Sequence, residues 1–217
     1  MLKQYNKPDN KESENLFEQP ILNRLSRTHI SVPIILFIVY GLALLAFHIW
    51  NSTLSVGLSI AIFLFGCFFF TFIEYIVHRY VFHLSLHTER RKHFQYMIHG
   101  VHHHHPKDKS RLAMPPLLSI TIATVLLFVF KLILGSYVFV FLPGFLFGYA
   151  YYLMIHYIVH IHRPPKNIFK HLWINHSIHH YKDGEIAFGV TSPLWDYICG
   201  TMKSKATDSV SVQSKDN

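Results

Sequence analysis

Ten histidines in four short clusters are the residues of this chain best suited to chemistry. The clusters are His78-Arg-Tyr-Val-Phe-His83, His99-Gly-Val-His102-His103, His156-Tyr-Ile-Val-His160 and His176-Ser-Ile-His179-His180. Neutral imidazole is the commonest metal ligand among side chains. At 3.6 residues per turn, positions i, i+3 and i+4 share a helix face. His99, His102 and His103 are therefore expected to point the same way, as are His176, His179 and His180, and also His156 and His160. The step from His78 to His83 is i to i+5, which an ideal helix would splay. Either one serves each metal, or the helix ends between them.

The count carries a further argument. One tetrahedral zinc needs four ligands. Ten imidazoles divide into two metals with about five nitrogens each and an open position on each, which is a site built for reaction. The absence of cysteine ligands argues against an iron–sulfur centre. The scarcity of carboxylates argues against a carboxylate-bridged di-iron bundle. One His-x-x-His-His alone is as readily a surface accident as a ligand set, but four histidine clusters on one membrane face are not. His104 and His105 extend the second cluster. His29, His48, His87, His93, His162 and His171 read as surface, interfacial or supporting residues. Glu74, one helical turn before His78, is a candidate to hydrogen-bond a ligand imidazole and fix its tautomer. Its alternative is a carboxylate reaching out to interfacial water. Asn175 and Asp196 have the same standing.

Long apolar blocks must position these clusters. Of 217 residues, 51% are hydrophobic and 15% charged, with a mean hydropathy of +0.25. Blocks at about 33–50, 54–73, 117–134 and 137–157 are each long enough to cross a bilayer. Asn51-Ser-Thr53 and Gly135-Ser136 make tight turns between them. Pro143 and Gly144 are expected to kink the fourth block or delay its start, and Pro164-Pro165 to stop it. The reading is an all-α integral membrane protein with four transmembrane helices in two hairpins.

The net charge is +8. Lysine and arginine fall in the N-terminal arm, the middle loop and the C-terminal segment, with Lys131 the exception near a tip. The positive-inside rule places those three regions, and every histidine cluster, in the cytoplasm. No nucleic-acid motif accompanies the basic residues. Cys67 and Cys199 form no disulfide framework. Residues 1–29 read as a polar, disordered arm without a signal-peptide core, and residues 204–217 as a disordered tail.

The clusters resemble the histidine boxes of the fatty acid hydroxylase/sterol desaturase superfamily, and most closely those of fatty acid 2-hydroxylases acting on sphingolipid acyl chains. The resemblance rests on Phe72-Ile-Glu-Tyr-Ile-Val-His-Arg-Tyr-Val-Phe-His83, His99-Gly-Val-His-His103, Arg111-Leu-Ala-Met-Pro-Pro116 and Phe188-Gly-Val-Thr-Ser-Pro-Leu-Trp-Asp196. It covers roughly residues 65–201 and makes 30–203 a hydroxylase membrane domain. It implies a cytosolic helical cap over a di-metal centre whose ligands are the ten box histidines. It further implies two iron ions (with zinc able to occupy the site in isolated protein), dioxygen as co-substrate, and hydroxylation at carbon 2 of a membrane lipid acyl chain. Electrons would come from NAD(P)H through a carrier. No cytochrome b5 domain is fused, so a separate donor, cytochrome b5 or ferredoxin with its reductase, is expected.

The sequence departs from that pattern at Leu153, where many relatives carry Asp, and at Ile161, where many carry a second adjacent histidine. Alternatives are a sterol, carotenoid or other lipid oxidase of the same superfamily, and a zinc transporter or metal-binding membrane protein. Transport needs polar ligands near the bilayer midplane, and these spans are nearly free of them. The bacterial inner membrane and the endoplasmic reticulum both suit the chain.

Overall fold

The computed structural model describes residues 13, 15–84 and 87–202. The tail expected at 204–217 and the first twelve residues of the arm lie outside them. Among the described residues there are helices and no strand. The α-helices are α1 (Pro20–Leu25), α2 (Ser31–Asn51), α3 (Val56–Val77), α4 (Glu89–Gln95), α5 (Val101–His104), α6 (Pro116–Leu134), α7 (Val138–Ile161), α8 (Lys170–Tyr181) and α9 (Leu194–Ile198).

Three apolar helical stretches are long enough to cross a membrane: Ser31–Asn51, Val56–Phe82 and Lys109–Ile161. The third contains α6 and α7, joined through a 3-10 turn at Gly135–Tyr137. Gly135 has φ 56° there, a conformation that glycine adopts without steric cost. Many large apolar side chains face outward, among them Trp50 at 90% exposure and Leu132 at 88%. Such a surface is at home in lipid rather than in water.

α7 is the central helix. It buries Val138, Phe141, Leu142, Phe145, Leu146, Ala150 and Leu153, and both α3 and α2 pack along it. The α3–α7 crossing is backbone on backbone. A Cβ on Gly144 would overlap the Phe63 carbonyl, one on Gly66 the Phe141 carbonyl, and one on Gly148 would lie 2.9 Å from Phe70 Cβ. The order of these contacts makes α3 and α7 run in the same direction. Small residues at such crossings let dispersion and close approach hold helices together where lipid removes the hydrophobic drive.

Pro143 and Gly144 do not delay the start of the fourth block: α7 starts at Val138 and runs through Pro143. Gly144 makes room for α3, and Pro143 sits against Gly41 of α2.

The second half of the arm is tied to the loop after α5. Asp108, 3% exposed, accepts from Ser13 N at 2.9 Å and Ser13 Oγ at 2.7 Å. Arg111 donates to Ser13 Oγ and to the Ser26 carbonyl and hydroxyl. Thr28 N donates to the Ser110 carbonyl. Burial alone would raise the pKa of Asp108, but hydrogen bonds from the Ser110 hydroxyl and N–H and from Ser13 outweigh it and pull the value down to about 2.

Candidate metal centre

Two histidine clusters sit at the ends of apolar helices, His78–His83 after α3 and His156–His160 at the end of α7, and the other two lie on short segments beyond them, at α5 and on α8. α3 passes directly into a π-helix at His78–Phe82, closed by His83 N donating to the His78 carbonyl at 3.2 Å. The i to i+5 bond of a π-helix aligns residues five apart. His78 and His83 therefore share a face, and of the two sequence alternatives the second holds: the helix ends at Phe82, between them, and they do not go to different groups. A second π-turn, Tyr96–Gly100, leads into α5 and presents His99. Gln95 Nε2 donates to the Phe82 carbonyl at 3.1 Å, tying the two π-turns together. A Cβ on Gly100 would lie 3.1 Å from both Gln95 Oε1 and Tyr96 Cδ2, so those side chains would have to shift by a few tenths of an ångström.

All ten box histidines come together, in two buried groups of five. One is His78, His83, His99, His103 and His179, and the other is His102, His156, His160, His176 and His180. In each group, candidate ligand nitrogens lie within 4.8 Å of one another. The grouping differs from the expected shared faces. His99 and His103 stay together while His102 joins the other group. His176 and His180 stay together while His179 crosses over. Adjacent helical residues diverge by about 100°, so the i, i+4 pair faces one centre and the neighbour faces the other. Each half of the chain thus contributes two pairs to its own centre and lends one imidazole to its counterpart's. The groups meet where His103 stacks on His180, centroids 4.1 Å apart and planes at 17°.

The donor set fits metal ions. Nε2 atoms converge at 3.1 Å for His78–His99, 3.0 Å for His99–His103, 3.2 Å for His156–His160 and 2.7 Å for His160–His176. Metal–nitrogen bonds of about 2.0–2.1 Å place ligands at right angles about 2.9 Å apart, against about 3.4 Å for a tetrahedron. The observed spacings are short enough for each group of nitrogens to share one ion. His102 and His180 have both ring nitrogens buried without a hydrogen-bond partner, as are His176 Nδ1 and His179 Nε2. A buried polar atom without a partner is costly unless something else satisfies it. Burial also lowers the pKa of His99, His102, His103, His176 and His180, and brings His179 to about 4. These rings are neutral at pH 7, the form that coordinates metal.

Behind the first group lies the segment 186–201. His78 Nδ1 lies 2.5 Å from the Phe188 carbonyl and His179 Nδ1 lies 2.8 Å from the Ile186 carbonyl. Between those carbonyls, Ala187 has φ 56°, a left-handed conformation that costs a non-glycine residue about 1–2 kcal/mol. Its N–H donates to the Thr201 carbonyl at 2.9 Å.

Two buried carboxylates hold this turn. Asp196 accepts from Phe188 N at 2.8 Å, Gly189 N at 2.7 Å and Thr201 Oγ1 at 2.7 Å. Burial raises its pKa while these bonds oppose the rise. Glu74 accepts from Val190 N at 2.7 Å, Thr191 N at 3.0 Å and the Thr191 hydroxyl. Glu74 therefore neither bonds a ligand imidazole nor reaches water. It acts on the ligands through the turn. Asn175 is half-buried on α8 and makes no hydrogen bond to a box histidine among the described residues.

Sequence reasoning missed the Ile186 and Phe188 carbonyls and the conformation of Ala187. Carbonyls belong to every residue, so only the Phe-Gly-Val-Thr-Ser string hinted at them. Its glycine is explained by the Ser192 carbonyl oxygen, which a Cβ on Gly189 would overlap, with Asp196 Oδ2 next at 2.8 Å.

The remaining histidines lie outside both groups. His48 is buried, with Nε2 3.0 Å from Ser59 Oγ, and His29 Nδ1 lies 2.8 Å from Ser31 Oγ. On the membrane side, an aromatic chain Phe37–Tyr149–Phe70–Tyr152 ends with Tyr152 stacked on His156 at 5.4 Å.

Comparison with known proteins matches this arrangement. The family model described as fatty acid hydroxylase matches residues 63–201. The ceramide very long chain fatty acid hydroxylase scs7 of Schizosaccharomyces pombe is 38% identical over 149 residues, which cover 67% of this chain and 43% of that protein. The dihydroceramide fatty acyl 2-hydroxylase FAH2 of Arabidopsis thaliana is 36% identical, with 68% of this chain and 62% of that protein covered. The fatty acid 2-hydroxylase of Mus musculus is 33% identical, with 70% and 42% covered. The chain thus spans less than two thirds of the length of these relatives. A solved structure of full-length scs7p, in which only the hydroxylase domain is visible, superposes with a TM-score of 0.81 at 29% identity, covering 89% of this chain and 74% of that one. With the family model matched across every histidine cluster, the chain belongs to the fatty acid hydroxylase family.

Proposed function

We propose that this chain is an oxygen-dependent hydroxylase that adds a hydroxyl group to carbon 2 of a fatty acyl chain of a sphingolipid. The observation that carries the reading is the pair of buried five-imidazole groups in a chain similar to ceramide and fatty acyl 2-hydroxylases. His78, His83, His99, His103 and His179 would hold one iron ion, and His102, His156, His160, His176 and His180 the other. When bound, the ions supply activation of dioxygen, with electrons from NAD(P)H delivered by a carrier protein such as cytochrome b5 or ferredoxin.

The chain's own residues do the rest. Burial keeps the cap imidazoles neutral and ready to coordinate. The aromatic chain from Phe37 to Tyr152 gives an acyl tail an apolar wall leading to His156. Enclosure of both groups keeps bulk water from the reacting carbon. In this reading α2, α3, α6 and α7 make four spans in two hairpins. Both ends of the chain and the histidine cap then face the cytoplasm, where the lysines and arginines concentrate.

Lipid mass spectrometry of cells expressing the wild type and His102→Ala tests the proposal. Acyl chains hydroxylated at carbon 2 are expected only with the wild type. An oxidised sterol or carotenoid in their place would transfer the chain to another activity of the superfamily.

A further inference from the structure

The two histidine groups are built from equal numbers of imidazoles but are supported unequally. In the first, two rings are anchored through Nδ1 to the carbonyls of one turn, His78 to Phe188 and His179 to Ile186. A ring that donates Nδ1–H to a carbonyl has its tautomer chosen and its plane fixed, and its Nε2 lone pair is aimed. The two anchored rings come from distant parts of the chain, the end of α3 and the end of α8. The turn therefore joins them into one preformed pair.

In the second group, both nitrogens of His102 and of His180 are unpartnered, as is Nδ1 of His176. His156 faces the Leu112 carbonyl without meeting hydrogen-bond geometry. Those rings must select a tautomer and lose rotational freedom when a cation arrives.

We propose that the two centres differ in metal retention, the His78 group holding its ion more tightly. The turn Ile186–Ala187–Phe188 is the device, and Glu74 and Asp196 are its positioning residues. This rests on the metal-binding reading above. Neither carboxylate touches an imidazole. Asp196 fixes the N–H groups of Phe188 and Gly189, and Glu74 those of Val190 and Thr191. Together they hold four consecutive residues, Phe188 to Thr191, in the one shape that sends both carbonyls toward the ligands. Loss of a group that orients a metal ligand commonly lowers affinity about 10–100-fold.

The full chain in detergent, loaded with zinc and challenged with excess chelator, tests this by the time course of zinc release. Two ions per chain should leave in two phases separated by about 10–100-fold. His160→Ala should remove the fast phase and His99→Ala the slow one. Asp196→Asn, whose amide cannot accept from both N–H groups, should accelerate the slow phase and leave the fast phase unchanged. Glu74→Gln, which retains one acceptor oxygen, should do so more weakly. It also supplies the answer if Asp196→Asn loses its helical circular dichroism. Release of both ions at one rate, or equal acceleration of both phases by Glu74→Gln, would overturn the asymmetry. A wild-type chain that takes up no zinc would overturn the metal-centre reading itself.

Discussion

The α3–α7 crossing and the 186–201 segment both serve the histidines, by opposite means. The crossing works through missing atoms: Gly66, Gly144 and Gly148 leave space that lets two backbones touch. It sets where the ends of α3 and α7 lie, and so where His78 and His156 begin. The segment works through added polar groups: two buried carboxylates grip four backbone N–H groups and two hydroxyls and turn two carbonyls toward the ligands. It sets which way individual rings face. Coarse position comes from the membrane helices and fine orientation from the cap.

The largest effect should come from breaking the crossing. Gly144→Val places two methyl groups and a Cβ against the Phe63 backbone, which no rotamer change can relieve. Overpacking normally costs about 1–3 kcal/mol, and a backbone obstacle lies at or beyond the top of that range. Detergent-solubilised protein should lose its sharp elution peak and both metal ions together. A variant that elutes normally and retains two ions would show that the crossing does not set the histidine positions.

Next come the two exchanged histidines, which test whether the centres are separable. His102→Ala and His179→Ala each remove one imidazole from the group fed by the opposite half of the chain. Each should abolish hydroxylated product while helical content is kept. Metal analysis should show one weakened site in each variant, a different one in the two cases. Loss of both ions from either variant would mean that the stacked His103–His180 pair couples the groups into a single unit.

Much of this was readable beforehand. The four apolar blocks became α2, α3, α6 and α7, because a run of apolar residues long enough to cross a bilayer has few other conformations open to it. Helical spacing marked eight of the ten histidines, and His78 and His83, five residues apart, were marked by their clustering and by the family resemblance. Their partition was not legible. Helical periodicity treats His99, His102 and His103 as one face, and only the arrival of a second centre from α7 and α8 separates them. The π-turn at His78–Phe82 was hidden for a related reason. Its widening depends on what closes the helix in space, and no residue type announces it. Glu74 and Asp196 were found by position, but their work through backbone amides was not.

Acid should separate the cap from the spans. Burial lowers the pKa of His99, His102, His103, His176, His179 and His180 below the value of 6.5 expected in an unfolded chain. The unfolded state then binds more protons than the native state below that pH. The stability these neutral rings contribute is fully present above pH 6.5. It is lost as pH falls through that value, for His179 down to about 4. For His179 alone the loss is of order 3 kcal/mol at roughly 1.4 kcal/mol per pH unit. Metal-free protein scanned from pH 7.5 to 4.5 should show falling thermal stability below pH 6.5, and the variant His179→Phe a shallower fall. A stability profile flat across this window would mean that the cap rings reach water.

The smallest effect gives the sharpest contrast between the two regions. Ala150 in α7 and Ala187 in the turn are both buried alanines, 5% and 3% exposed. Ala150→Gly loses a buried methyl, about 0.8 kcal/mol, and about 1 kcal/mol of helix preference. Ala187→Gly loses the same methyl and some chain entropy in the unfolded state, about 0.4–1 kcal/mol. It also relieves about 1–2 kcal/mol of left-handed strain, since φ is 56°. The opposing terms leave Ala187→Gly within about 1 kcal/mol of neutral, while Ala150→Gly destabilises by close to 2 kcal/mol. Paired denaturation of the two variants measures the gap. Equal losses would mean that Ala187 has no strain to relieve, and the carbonyl pair facing His78 and His179 would then need another explanation.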